Sequence, residues 1–373
     1  MTWLFLSSGL FLGWSLGAND AANLFGTAVG TKMVRFATAA LVASVFVVLG
    51  AVSGGAGASG TLSRLGAVDT LPAAFAVAFA AALSVFLLLK RIGLPVSTSQ
   101  AIVGAIVGWN LFAGRRTDAK VLFQILSSWI VCPLLAATVA AALFIAARSA
   151  FPRLKIHVLE VDAWTRAGLL AVGGFGAFSL GQNNIANVMG VFVRVSPFPE
   201  MTIMGPLRVT SVEMLFLLGG IAIATGIYTY SHRVMRRVGE GLTSLSPLAA
   251  LVVVLAASIV LFLFASQRLE QTLKSLGLPA LPLVPVSSSQ AVVGAILGIS
   301  LVRGSPVKPR PLAQILLGWA AAPLLAMAIS YLGLVLLQNV FRLPVTVGDT
   351  AREAAARSGG CPCPAAPAVP LTR

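Results

Sequence analysis

The sequence predicts an all-α polytopic membrane protein of about 10–12 transmembrane or re-entrant helices. Three observations predict it. Of 373 residues, 58% are hydrophobic and 10% charged, where soluble domains carry roughly 25% charged residues. Ten charge-free stretches are each about as long as a bilayer-spanning helix requires. Two polar motifs recur, in the same order, in each half of the chain.

The ten stretches are Met1–Asn19, Phe36–Ser63, Thr70–Leu89, Ile92–Gly114, Val121–Ala147, Ala167–Val193, Met214–Ser231, Gly241–Gln267, Ser275–Val302 and Pro311–Phe341. Lipid requires backbone amides to be satisfied within the segment, so these are helices. No alternation of the barrel type is present. The composition excludes a disordered chain, a collagen-like chain, a disulfide scaffold and an ordinary cytosolic enzyme. Met1–Gly17 lacks a basic leader and runs straight into a polar motif, so it is expected as mature structure.

The net charge of +15 sits between these stretches, at Lys90/Arg91, Arg115/Arg116/Lys120, Arg148/Arg153/Lys155, Arg233/Arg236/Arg237 and Arg303/Lys308/Arg310. Cations in such places set membrane topology and meet anionic headgroups. The expected partners are therefore membrane lipids and not nucleic acid. Cys132, in an apolar run, reads as a small core residue, and Cys361/Cys363 as an incidental thiol pair in a Pro/Ala/Gly tail. His157 and His232 are expected in solvated connectors, and Glu213 as an interfacial charge paired with Arg208.

The repeat sets the organisation. Ser15-Leu-Gly-Ala-Asn19-Asp20-Ala-Ala-Asn23-Leu-Phe-Gly26 returns as Ser179-Leu-Gly-Gln-Asn183-Asn184-Ile-Ala-Asn187-Val-Met-Gly190, at an offset of 164. Pro95-Val-Ser97-Thr98-Ser99-Gln100 returns as Pro285-Val-Ser287-Ser288-Ser289-Gln290, at an offset of 190, and Pro133 returns as Pro323 at that same offset. The second copy thus holds 26 more residues between its motifs (190 − 164), expected in the polar stretch Tyr230–Ser246. The predicted domains are a first transmembrane repeat over residues 1–150, a linker over 151–163, a second repeat over 164–341 and a disordered tail over 342–373. Two related halves are the usual plan of secondary transporters. The residues alone leave parallel and inverted arrangements open.

Each half offers two polar interruptions. At Gly17-Ala-Asn19-Asp20-Ala-Ala-Asn23, Gly and Asn tolerate non-helical dihedrals, so the helix is expected to open there and free carbonyls for a cation and amides for an anion. Asp20 is the carboxylate in that break. Burying a charge at bilayer depth costs at least ~2.5–3.5 kcal/mol, so it is paired, solvated or functional. Oxygen ligands suit a hard cation such as sodium. Buried Asn also glues helices together, but four matched Asn with an Asp weigh towards a ligand site. At Pro95 and Pro285 the proline stops one helix, and Ser97 or Ser287 caps the next. A helix N-terminus at membrane depth offers free N–H groups and a positive dipole end. With three hydroxyls in a row, that makes an oxyanion cradle, twice over. Plain capping is the competing reading of a single copy. The sequence shows no His/Cys metal cluster, P-loop or Ser-His-Asp set.

Gly17-Ala-Asn-Asp-Ala-Ala-Asn23 resembles the GANDVAN element of the inorganic phosphate transporter (PiT) family, and Pro95-Val-Ser-Thr-Ser-Gln100 resembles its PVSTTH element. Both have second-half counterparts, and the stretch from Arg233 to Pro247 is also similar to a family segment. The likeness spans roughly residues 9–340. It implies inverted repeats, a homodimer, location in the cell membrane and no enzymatic activity. It also implies a central phosphate site, with coupling to Na+ or H+ and no other cofactor or metal.

On that resemblance the substrate-binding candidates are Asn19, Asn23, Ser97, Thr98, Ser99, Gln100, Asn183, Asn187, Ser287, Ser288, Ser289 and Gln290. The cation-binding candidates are Asp20, Asn23, Asn184 and Asn187. The sequence departs from the family where its His is Gln100 or Gln290, and where its second Asp is Asn184; the charged intracellular domain of longer members has no counterpart. Gln does not titrate near neutral pH, which argues against a proton relay and favours Na+ over H+. The expected function is phosphate symport with a cation. A sulfate permease of the same fold, a non-transporting membrane receptor and a lipid-phosphate enzyme are the alternatives.

Overall fold

The computed structural model describes residues 2–92, 96–150, 158–204, 207–239 and 245–348. Pro95, His157, Cys361 and Cys363 lie outside the described residues.

Each charge-free stretch carries one long helix. In the first half these are α1 (Thr2–Gly30), α2 (Phe36–Gly54), α4 (Leu71–Ile92), α5 (Thr98–Phe112) and α6 (Ala119–Ala150), with the short α3 (Ala56–Leu65) after α2. In the second half they are α7 (Val158–Met189), α8 (Ser211–Thr229), α10 (Pro247–Ala265), α12 (Ser288–Arg303) and α13 (Pro309–Asn339). The short α9 (Ser231–Gly239) follows α8, and α11 (Gln267–Ser275) follows α10. A small antiparallel ribbon, β1 (Met201–Met204) with β2 (Leu207–Val209), joins α7 to α8.

Among the described residues, α2, α4, α6, α8, α10 and α13 are long and apolar enough to cross a membrane. The chain is an integral, multi-pass membrane protein. The outer faces of α6 and α13 expose Phe123, Ile130, Leu134, Leu317 and Leu324, as lipid contact requires. By contrast α5 and α12, at 15 and 16 residues, reach only about 22–24 Å at 1.5 Å per residue and fall short of a ~30 Å core. Each starts inside the protein.

Equivalent helices run antiparallel: along α1 and α7, Phe25 lies against Gly173, Gly13 against Val188 and Gly9 against Met189. Along α2 and α8, Val48 lies against Gly220 and Gly55 against Phe216. Each half then packs on the other by exchange, α1 along α8 and α7 along α2, α5 along α13 and α12 along α6. Missing side chains make the approach close. A Cβ on Gly17 would stand 1.9 Å from the Ile223 carbonyl oxygen, and one on Gly181 2.1 Å from that of Val47. Small residues are how helices in lipid gain van der Waals contact.

Two expectations change here. The extra residues of the second half do not lie in Tyr230–Ser246. Helix α2 begins at 36 and α8 at 211, an offset already of 175, while α4 at 71 and α10 at 247 differ by 176. The insertions are the ribbon segment before α8 and the α11 segment before α12. His232 is not in a loop either: it lies on α9 with its ring 4.8 Å from that of Phe36.

Two further residues have defined roles. Glu213 closes a capping box at the start of α8, accepting from the Thr210 amide at 2.7 Å. At the far end, Val345 is buried and its carbonyl accepts from the Thr70 hydroxyl at 2.8 Å, so residues up to 348 include packed chain within the stretch expected as a tail.

Candidate functional site

The first motif does not break its helix. Both α1 and α7 run unbroken through Asn19–Asn23 and Asn183–Asn187. Asn and Asp unsettle a helix when their side chains compete for its own backbone. Here those side chains are engaged elsewhere, so the ladder survives. The opened carbonyls expected at this point are therefore absent, and the motif acts through its side chains.

Asn19 spans the gap to the hairpin before α5. Its Nδ2 donates to the Val96 carbonyl at 2.7 Å, and its Oδ1 accepts from the Val96 amide at 3.1 Å. Asn183 repeats this on the other half, with Val286 at 2.7 and 3.2 Å. Each amide plays the part of a neighbouring strand for one extended residue that has no other ladder. The next residue, Ser97 or Ser287, then caps its helix by accepting from the amide of Gln100 or Gln290, at 3.2 and 3.3 Å. The capping predicted from sequence is present in both copies.

The second Asn of each motif reaches across to the opposite half. Asn23 Nδ2 donates to Ser288 Oγ at 3.3 Å. Asn187 Nδ2 donates to Ser99 Oγ at 2.8 Å and to Asn184 Oδ1 at 2.8 Å. Ser99 Oγ in turn donates to the Val286 carbonyl at 3.0 Å, tying one hairpin tip to the other. Asp20 accepts from Asn19 Nδ2 at 2.5 Å and from the Ser288 side chain. Ser287 and Ser289 share a hydrogen bond of 2.9 Å. The Cys132 thiol approaches the Ser287 carbonyl at 3.9 Å.

All the residues expected at the site are thus buried, and the bonds between them join the four motifs at a single junction. Asp20 is 2% exposed, and none of the residues joined at the junction carries a compensating positive charge. Several polar atoms there have no protein partner: Thr98 Oγ1, Gln100 Oε1, Asn184 Nδ2, Asn187 Oδ1 and Gln290 Oε1. Buried polar atoms are rarely left so, and these are the atoms at the junction available to a ligand or a water.

The helix ends add to this. The Ala101 and Ala291 amides bond back to Ser97 and Ser287 carbonyls, and the caps take those of Gln100 and Gln290. That leaves the first two amides of α5 and of α12 as unclaimed donors, at the positive ends of two helix dipoles. Hard oxygen ligands around one carboxylate beside two such ends can hold a cation and an oxyanion together.

One residue that the sequence reading missed is Gln182, beside Asn183. It is 6% exposed and its Oε1 has no partner. The signal was present, because the first-half equivalent is Ala18, 164 positions earlier.

A family model described as "Phosphate transporter family" matches residues 16–161, 157–279 and 281–359. A putative phosphate permease of Methanocaldococcus jannaschii is 27% identical over 323 residues, covering 86% of this chain and 93% of its own. The sulfate permease CysP of Bacillus subtilis is 30% identical over 330 residues, covering 87% of this chain and 84% of its own. A solved structure titled "The sodium-dependent phosphate transporter" superposes with a TM-score of 0.69 at 22% identity, covering 90% of this chain and 98% of that one. At that identity the likeness speaks for the fold.

Proposed function

The chain belongs to the phosphate transporter family, and from that premise we propose that it carries inorganic phosphate across the membrane by symport with a cation, sodium in preference to the proton. It is a transporter and not an enzyme. The observation that carries the reading is the crossed pairing at the junction, where Asn23 of one half holds Ser288 of the other and Asn187 holds Ser99. A site bonded from both sides of a pseudo-two-fold axis is altered whenever one repeat moves against the other, which is what alternating access requires.

Within this reading the roles divide. Asn19 and Asn183 clamp the hairpins, since both ends of each amide bond to Val96 or Val286, and Asn19 also donates to Asp20. Asp20 and Asn23 hold the cation in the first half. Asn184 and Asn187 offer a second, uncharged position. Thr98, Ser99, Ser288, Ser289, Gln100 and Gln290, with the free amides of α5 and α12, hold the anion. Sodium is favoured because the junction offers oxygen ligands and, among the described residues, no histidine: His232 sits on α9 against Phe36. Sodium beside Asp20 offsets the phosphate charge, so neither ion is easily accommodated alone.

Phosphate is favoured by Asp20. Near neutral pH phosphate retains an O–H that donates to a carboxylate, whereas sulfate has none and meets only repulsion. The sulfate reading draws on a different observation. CysP, a sulfate permease, is 30% identical to this chain, and the second half lacks a carboxylate at Asn184.

The test is uptake of labelled phosphate into proteoliposomes under an imposed sodium gradient, with unlabelled phosphate or sulfate as competitor. Accumulation that collapses with the gradient and yields to phosphate alone supports the proposal. Uptake indifferent to sodium overturns the coupling, and stronger competition by sulfate overturns the substrate.

A further inference from the structure

A cavity of about 480 Å³ opens between α2, α7, α10 and α11. Its polar lining comes from Ser53, Gln182, Ser266, Gln267, Arg268 and Thr272, and none of its lining residues is acidic. Helix α11 is the insertion that only the second half carries. Ser266 caps it by accepting from the Leu269 amide at 3.3 Å, which sets its first turn, and so Arg268, at the cavity. The turn into α11 is held in place. Gly57 packs so closely that an added Cβ would meet the Ala265 carbonyl oxygen at 2.6 Å, and Thr61 Oγ1 donates to the Leu283 carbonyl at 2.6 Å.

Three features point to an anion. Arg268 is exposed, and among the described residues no ion pair engages it; the nearby Glu270 carboxylate is taken by Lys274 at 2.6 Å. The first turn of α11 presents the positive end of its dipole. Gln182, nearly buried, lines the same cavity, and among the described residues its side chain makes no hydrogen bond, so its amide N–H donors are free for an anionic guest. Gln182 also stands one and two residues from Asn183 and Asn184, so the cavity reaches the level of the junction along α7.

The mirror position is closed. Phe178 lines the cavity, and its first-half equivalent, 164 positions earlier, is Trp14. Trp14 Nε1 donates to Thr229 Oγ1 at 2.8 Å, and its ring packs against Tyr230 at 5.6 Å, with Arg233 in turn 5.4 Å from the Tyr230 ring. Trp14 thus occupies the place that the cavity holds open beside Phe178, and α11 has no first-half equivalent.

We propose that this cavity is an oxyanion vestibule, where Arg268 and Gln182 hold a phosphate- or sulfate-class anion before it enters the junction. The inference deepens the transport reading and rests on it for direction, but its binding test does not need flux. The vestibule selects by charge and shape, so both anions occupy it, and discrimination falls to Asp20 further in.

In proteoliposomes, Arg268→Ala is expected to raise the KM for phosphate about fivefold with little change in kcat, since a rim charge acts on encounter. Arg268→Lys should recover most of the loss. At fixed sodium, added choline chloride should raise KM in the unaltered protein and much less in Arg268→Ala, because screening weakens only a charge that is present. Independently, Thr272→Cys, in a chain with Cys361 and Cys363 changed to Ser, is labelled by a methanethiosulfonate reagent with and without millimolar phosphate or sulfate. Either anion should slow labelling, and Arg268→Ala should abolish that protection. Unchanged KM in Arg268→Ala together with no protection overturns the vestibule. A fall in kcat alone also overturns it, because that is the mark of a structural role. Protection without any uptake overturns the transport reading and leaves the vestibule standing.

Discussion

At one tip of the junction α1 brings Asp20 and Asn23 to Ser288, while at the other α7 brings Asn184 and Asn187 to Ser99. The backbone clamps differ by no more than 0.1 Å between halves, at 2.7 and 3.1 Å against 2.7 and 3.2 Å. The charge does not follow the geometry. One half-site holds a carboxylate that 2% exposure leaves almost no water to solvate, and the other holds an amide. The duplicated scaffold therefore repeats its backbone geometry but carries a carboxylate at only one of two equivalent positions. The asymmetry also reaches outwards, since the half without the carboxylate also holds Gln182, α11 and the open cavity.

The sharpest way to break this comparison is to exchange the charges. Asp20→Asn removes the carboxylate that would pair with the bound sodium; losing such a buried partner costs roughly 3–5 kcal/mol and so cuts sodium-driven uptake by about a hundredfold or more. Asn184→Asp should do the opposite for cations and steepen the dependence of uptake on sodium concentration. The double exchange, Asp20→Asn with Asn184→Asp, asks whether position matters beyond charge. Uptake of labelled phosphate across a sodium titration reads all three. Full activity in Asp20→Asn would sink the assignment of the cation site.

Where the geometry is matched, matched losses are expected. Asn19→Ala and Asn183→Ala each leave a buried N–H and a buried C=O unpaired, at about 1–3 kcal/mol for each group. Both should lower the thermal unfolding midpoint in detergent, and only Asn19→Ala, which also removes a hydrogen bond from Asp20, should alter the sodium dependence of the activity that remains. A loss in one half alone would mean that the clamps are not equivalent. The next smaller effect belongs to Gly104→Ala and Gly294→Ala, whose Cβ atoms would stand 2.0 and 2.2 Å from the Pro323 and Pro133 carbonyl oxygens. Overpacking of this kind costs about 1–3 kcal/mol, and again equally in both halves.

Much of this was legible in the residues. Ten uncharged stretches became ten long helices because lipid leaves the chain few other choices. Both Ser caps followed from Pro-x-Ser, a local signal. The misreadings share a cause: each depended on a partner remote in sequence. Asn19–Asn23 looked like a break because local propensity says so, yet Val96 and Ser288, 77 and 265 residues distant from their partners, take the side chains and let the helix continue. Four Asn looked alike, but two are spent on backbone and two cross the axis. The inserted residues were sought in the most polar stretch, whereas the repeat gained them at the ribbon and at α11. The packing of the halves was out of reach of the pattern, because the residues do not say that equivalent helices such as α1 and α7 lie antiparallel against each other.

The smallest expected effect separates charge from packing as the source of the asymmetry. Cys132 sits on α6 with its thiol 3.9 Å from the Ser287 carbonyl, and its equivalent 190 positions on is Ala322, which has no such donor for Ser97. A thiol is a weak donor, and it loses only one heavy atom on becoming alanine. Cys132→Ala should therefore lower stability by about 1 kcal/mol or less and leave both KM and the sodium dependence of uptake where they were. It makes the two hairpin tips chemically more alike without touching Asp20. If phosphate KM nonetheless shifts, the second tip is tuned by the thiol, and the contrast between the halves is shared between Cys132 and Asp20. If it does not, the carboxylate alone distinguishes one half-site from the other.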